Sequence, residues 1–93
     1  MSATALEATS EQITMYSTPW CGYCKRLKSQ FEREGIAFTE VDIDQVPTAA
    51  DYVMSVNGGN QTVPTVVVKP LGGGTQVAMT NPSLAQVKAA LNG

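Results

Sequence analysis

Cys21 and Cys24 are the only cysteines in the chain, and two residues separate them. They sit in Trp20-Cys21-Gly22-Tyr23-Cys24, after a short apolar run and ahead of a helical pattern. A strand that feeds Cys-x-x-Cys at a helix start has the form of a dithiol redox site. The first N–H groups of a helix lack intrahelical partners, and the macrodipole places partial positive charge there. An anionic sulfur is favoured at that position, and the thiolate is the form of cysteine that attacks disulfides. The pattern puts Cys21 at or before the first helical position, with its sulfur accessible, and Cys24 on the inward face with Leu27. Cys21 is therefore expected to attack and Cys24 to be the shielded resolving thiol. A redox-active Cys21–Cys24 disulfide is a side path. Lys25, Arg26, Lys28 and Arg33 are four of the six cationic residues, and all lie on this helix, where either their field favours an anion at its start or Lys25, Arg26 and Lys28 simply form a solvated face.

The chain has 93 residues, a net charge of −2 and no histidine. That length suits one domain, read as residues 13–93 behind a flexible lead-in at 1–12. No basic run suggests nucleic acid as a partner, and no apolar stretch approaches the length of about 18 residues that suggests a membrane span. Without histidine there is no Cys-His zinc site and no Cys-His nucleophilic pair, so no metal is expected. Met1 to Gln12 lacks the basic start, apolar block and cleavage site of a secretory signal. The expected setting is the reducing cytoplasm, where a Cys-x-x-Cys is more often catalytic than a structural staple. The expected state is a monomer.

The elements that must position the thiols follow from periodicity and turn signals. Residues 13–16 read as a strand ending at Ser17-Thr18-Pro19. The helix opened by Cys21 runs to about Glu34, with Cys24, Leu27 and Phe31 on one face and Gly35 as its stop. Residues 36–43 read as a second strand, parallel to the first. Pro47 starts a helix over about 48–56 that buries Ala49, Val53 and Val56. Thr65 to Val68 is β-branched throughout and reads as a third strand. Residues 76–79 return as its antiparallel partner. Asn81-Pro82-Ser83 opens a last helix with Leu84, Val87 and Leu91 inward. The order is β-α-β-α-β-β-α, an α/β fold.

Thr62-Val63-Pro64 forms the second constellation. Proline cannot donate to a ladder and belongs at a strand start, and Pro64 is also a candidate for a cis bond. With the cysteines nearby, Val63 would offer its N–H and C=O to an incoming chain or thiol conjugate, and Pro64 would sit across from Cys21. Asn81 and Ser83 either hold a polar ligand or cap the last helix. Trp20 and Tyr23 flank the sulfurs, and Trp20 either binds a ligand or packs the strand end. Gln61 closes a Gly-Gly-Asn-Gln stretch that either approaches a ligand or simply connects helix to strand.

On these residues the chain resembles the glutaredoxins of the thioredoxin-fold superfamily from Ile13 onward. Within them it is most similar to the mycoredoxins of actinobacteria, through Trp20-Cys21-Gly22-Tyr23-Cys24, the stretch from Ser55 to Val66, and Thr80-Asn81-Pro82-Ser83. The resemblance implies a thioredoxin/glutaredoxin fold. Its four-stranded mixed sheet would have order 2-1-3-4, the third strand antiparallel to the first, and be flanked by three helices. It implies reduction of mixed disulfides between proteins and mycothiol, with mycothiol as reducing co-substrate and mycothiolated proteins as partners. Cys21 would take the mycothiol, and a second mycothiol would release it. Substrate contacts would come from Trp20, Gly22, Tyr23, Gln61, Thr62, Val63, Pro64, Thr80, Asn81 and Ser83. Ordinary glutaredoxins carry a lysine shortly before the Cys-x-x-Cys and an acidic segment at the last helix. Here Thr18 and Asn81-Pro82-Ser83 stand in those places, which suits an uncharged sugar thiol. Met15 stands where thioredoxins bury an acid, so reduction of stable protein disulfides is expected to be slow. Two other readings carry the same motif. One is a dithiol redoxin fed by thioredoxin reductase, serving a peroxidase or ribonucleotide reductase. The other is an iron–sulfur carrier with a cluster bridged between two subunits.

Overall fold

A computed structural model describes residues 12–93. The elements are β1 (Ile13–Ser17), α1 (Gly22–Arg33), β2 (Thr39–Asp42), α2 (Pro47–Val56), β3 (Thr65–Val68), β4 (Val77–Thr80) and α3 (Leu84–Leu91). The four strands form one sheet in the order β2-β1-β3-β4. β1 runs parallel to β2 with Met15 opposite Glu40, and antiparallel to β3 with Met15 opposite Val66. β3 and β4 form the expected hairpin, Val68 opposite Val77. This is the thioredoxin-like architecture that the family resemblance implied.

The two central strands account for the layering. β3 is buried along its whole length, as its unbroken β-branched run requires of a strand covered on both faces. On one face Ile13, Met15, Val66 and Val68 pack against Leu27, Phe31 and Ile36, and against Val87 and Leu91 of α3. On the other face Ala49 and Val53 of α2 pack with Ile43, joined by half-buried Tyr16, Val41 and Val63. Val63 thus belongs to the α2 core as well as to the loop ahead of β3.

α1 ends in a tight C-terminal cap. Gly35 takes φ +69, its N–H donates to the Glu32 carbonyl, and the Ile36 N–H donates to the Phe31 carbonyl. This pair of bonds is the Schellman arrangement, and Ile36 packs in the same cluster as Phe31. The cap moves the start of β2. The sequence predicts a strand from Ile36, but residues 36–38 are still returning from the helix, and pairing with β1 begins at Thr39.

α2 departs from its predicted face. Val56 is exposed, and the inward row runs Ala49, Val53, Asn57. A spacing of four residues follows the helix face as well as one of three does. β4 is displaced by one residue from the predicted 76–79. The lead-in expected over residues 1–12 lies outside the described residues except for Gln12. Gln12 is tied to the end of β3, its carbonyl accepting from the Lys69 N–H at 2.8 Å. Among the described residues no helix is long and apolar enough to cross a membrane.

Candidate active site

β1 carries the chain to the edge of the α1 face and stops at Ser17, where Pro19 cannot continue the ladder. The Cys21 N–H then donates to the Thr18 carbonyl at 3.3 Å, and Cys21 takes the N-cap position of α1 with extended backbone. An N-cap side chain normally accepts from the first free N–H groups. Here the acceptor is sulfur: the Cys24 N–H donates to Cys21 Sγ at 3.1 Å. The same geometry that starts the helix therefore aims a backbone donor at the sulfur.

From the other side comes the Thr62-Val63-Pro64 loop. The Val63–Pro64 peptide bond is cis. Cys21 Sγ lies 3.7 Å from the Val63 carbonyl, toward which its thiol donates. Both cysteines are free thiols. Cys21 is only 6% exposed, which corrects the expectation of an openly accessible sulfur. The Val63 carbonyl and the first turn of α1 enclose it.

Cys24 is 2% exposed, on the face with Leu27 and Phe31, as its spacing predicts. Burial first, and the hydrogen bond with Cys21 second, push the Cys24 thiol up to about 12. The Thr18 backbone works the other way on the same sulfur but does not offset this. Thr18 therefore serves both cysteines through its backbone. Its hydroxyl is buried without a hydrogen-bond partner, so it offers nothing at the surface.

The remaining expected residues divide into two groups. Trp20 and Tyr23 are largely exposed beside the sulfurs, so Trp20 does not pack the strand end. Gly22 is exposed, and a Cβ there would meet nothing within 4 Å. Pro64 is buried, and its carbonyl accepts from the Asn81 N–H at 2.8 Å, which brings the start of α3 against the loop. Asn81 adopts φ +47, a left-handed conformation asparagine tolerates better than most residues. Ser83 caps α3 in a reciprocal box with Gln86, its hydroxyl accepting from the Gln86 N–H at 3.1 Å. Gln61 is exposed and points its amide at the Met54 sulfur.

Sequence reasoning missed two polar groups that organise this region. Asn57, just past the end of the helix predicted over about 48–56, donates to the Val53 carbonyl at 2.8 Å and to Thr65 Oγ1 at 3.0 Å, and accepts from the Thr80 hydroxyl. Thr65 Oγ1 in turn donates to the Thr62 carbonyl at 2.7 Å. Thr62 and Thr80, both expected at the site, are thus linked through one asparagine. The second group is Glu40. Met15 leaves β1 without an acid, but Glu40 lies opposite it on β2, accepting from Ser17 Oγ at 2.8 Å and paired with Lys28 at 2.9 Å. Lys28 is consequently occupied and not free to act on the thiols.

With this geometry in view, a family model described as Glutaredoxin matches residues 13–70. The chain belongs to the glutaredoxin family. This glutaredoxin is 53% identical over 79 residues to a Mycobacterium tuberculosis protein named as a glutaredoxin, covering 85% of this chain and 88% of that one. It is 40% identical over 77 residues to Mycoredoxin 1 of Corynebacterium glutamicum, covering 83% and 89%. Both relatives support the mycoredoxin type within the family. Among solved structures, a glutaredoxin from Archaeoglobus fulgidus superposes with a TM-score of 0.62 at 23% identity, over 100% of this chain and 97% of that one. That likeness supports the fold. As a glutaredoxin of this kind, the protein is a thiol-disulfide oxidoreductase.

Proposed function

We propose that this glutaredoxin reduces mixed disulfides between proteins and mycothiol through Cys21 alone, with a second mycothiol as reductant. The observation that carries the reading is the contrast between the two sulfurs. Cys21 has a backbone N–H aimed at it and the Val63 carbonyl beside it, whereas the buried Cys24 thiol is pushed up to about 12. A thiol that holds its proton so tightly is a poor nucleophile near neutral pH, because attack on a disulfide requires the thiolate. An external thiol is the better resolving agent, which disfavours an obligatory dithiol cycle.

In the first step the Cys21 thiolate attacks the mycothiol sulfur of the mixed disulfide. The S–S bond to the protein breaks, the protein thiolate leaves and takes a proton from water, and Cys21 is left bonded to mycothiol. A mycothiol thiolate then attacks that bound sulfur, releasing mycothiol disulfide and restoring the Cys21 thiolate. In this reading an extended thiol conjugate pairs with the Val63 backbone, whose carbonyl stands 3.7 Å from Cys21 Sγ. The absence of a lysine at position 18 and of an acid at Asn81-Pro82-Ser83 suits a cap without free carboxylates.

The test compares rates on one protein carrying either a mycothiol or a glutathione cap. The Cys24→Ser variant keeps turnover of the mycothiol cap, and Cys21→Ser loses it. Faster removal of glutathione by both wild type and Cys24→Ser would overturn the mycothiol reading. Loss of all activity in Cys24→Ser would overturn the single-cysteine mechanism.

A further inference from the structure

A cavity of about 350 Å³ lies between the outer face of α1 and the start of α3. This is near the lower end of the range of about 300–1,000 Å³ typical of small-molecule sites. Two of its lining residues tie it to the Cys-x-x-Cys region: Tyr23 lies between the two cysteines in sequence, and the Asn81 N–H donates to the Pro64 carbonyl at 2.8 Å, although neither cysteine lines the cavity. Its floor includes the buried Leu27 and Pro82. Its rim carries the exposed Tyr23 ring, the amides of Gln30, Asn81 and Gln86, and one cation, Arg26. No carboxylate lines it.

This lining has a definite chemistry. Among the described residues, the side chains of Arg26 and Gln30 have no hydrogen-bond or ion-pair partner. Gln86 uses its carbonyl oxygen to accept from the Ser83 N–H, and its two amide N–H donors have no hydrogen-bond partner among the described residues. Neutral amides both donate and accept, so they match hydroxyl groups, which do the same. An exposed aromatic ring over an apolar floor offers a flat surface to the C–H face of a ring. A polypeptide anchor would call for a deep apolar pocket, and a dianionic ligand for more than one cation.

We propose that this cavity is a subsite for the uncharged polyol part of a thiol cap, with the Tyr23 ring as platform and Gln30 and Arg26 as hydrogen-bonding partners. The subsite rests on the reading that the protein removes such caps. It adds that recognition extends away from the Val63 loop, across Tyr23, to residues of α1 that lie outside the Cys-x-x-Cys motif.

The test uses one protein capped either with mycothiol or with N-acetylcysteine, which lacks the sugar portion. Wild type is expected to favour the mycothiol cap in kcat/KM by about tenfold, the worth of one or two well-made hydrogen bonds. Gln30→Leu removes the amide at similar volume from a half-buried position, and it is expected to raise KM for the mycothiol cap by about three- to tenfold. Its KM for the N-acetylcysteine cap stays within about twofold of wild type. A second measurement does not depend on the variant: titration of the 15N-labelled protein with N-acetylglucosaminyl-inositol, which lacks cysteine but keeps the neutral amide. Amide shifts gathered at Tyr23, Arg26 and Gln30 support the subsite, and shifts absent or gathered elsewhere overturn it. Equal turnover of both caps by wild type, or equal losses on both in Gln30→Leu, would overturn the subsite alone. Failure of wild type to remove either cap would overturn the decapping reading and the subsite with it.

Discussion

The two cysteines of this protein are both buried free thiols one helical turn apart, but they differ in their hydrogen-bonding surroundings. Cys21 interrupts the helix start, so its sulfur stands in for a capping oxygen. Cys24 is three residues further on, and helical geometry turns it inward among Leu27 and Phe31. Burial then keeps its proton in place, raising the thiol to about 12. In a Cys21→Ser variant that burial persists, so iodoacetamide is expected to leave Cys24 unmodified near neutral pH and to label it only in strongly alkaline solution. Mass spectrometry after timed quenching reads this directly. Rapid labelling of Cys24 near pH 7 would show that the thiol is neither shielded nor held protonated. The result bears on mechanism, because a Cys24 that ionises readily would restore the intramolecular route that its burial argues against.

At the scale of elements, two loop positions have opposite consequences. Gly35 holds φ +69 in the cap of α1, and a Cβ there would meet nothing. Gly35→Ala therefore has only the left-handed backbone to contend with, and it should destabilise by about 1 kcal/mol while leaving activity intact. Asn57 is different, because it joins α2 to β3 and β4 and supports the loop that carries Val63. Asn57→Ala removes these bonds and strands part of the buried Thr65 hydroxyl's environment. A loss of about 1–3 kcal/mol is expected, together with a raised KM for capped protein. Urea midpoints and steady-state kinetics on the two variants separate the effects, and an unchanged KM in Asn57→Ala would confine that residue to stability. These elements also show what could be read from residue order alone. The strand into Cys21, the inward row of α1, the β-branched β3 and the parallel-then-antiparallel topology each follow from local pattern. The late start of β2 does not, because a Schellman cap is made of backbone bonds that no residue type announces. Val56 and Asn57 exchanged roles because spacings of three and four are equally helical, and only the position of Thr65 decides between them. Arg26, Gln30 and Gln86 were legible as surface residues of two helices. Only the packing of α3 beside α1 makes them walls of one cavity.

For the whole molecule, the core and the ionisable groups bound the conditions under which the site exists. Phe31 projects from α1 into the core it forms with β1, β3 and α3, where it is fully buried, and its ring lies 5.0 Å from that of Phe38. Phe31→Ala should cost about 3–5 kcal/mol, a large share of the total of about 5–15 kcal/mol for a domain. A urea midpoint little changed from wild type would mean the core collapses onto the vacancy. The pH dependence follows from five shifted groups. Burial raises the Glu40 carboxyl, but its hydrogen bonds with Lys28 and Ser17 outweigh that and hold it below its ordinary 4.5. Lys88 lowers Glu34 in the same direction. Both contributions are present above the unfolded value and are lost as pH falls through the lower folded values. On the alkaline side, burial raises Cys24 from 9.0 and Tyr16 from 10.0, and the Glu40 hydrogen bond raises Lys28 from 10.5. Those contributions are present below the unfolded values and fade as pH rises through the folded ones. No histidine titrates in between. Urea midpoints from about pH 3 to about pH 11 should therefore trace a plateau, with loss beginning near the carboxylate range on one side and the thiol range on the other. Glu40→Gln should flatten the acid side, since it removes both a titrating carboxylate and the partner of Lys28. A steep dependence near neutrality, or an acid limb unaltered in Glu40→Gln, would place the controlling charge outside the contacts between α1 and β2.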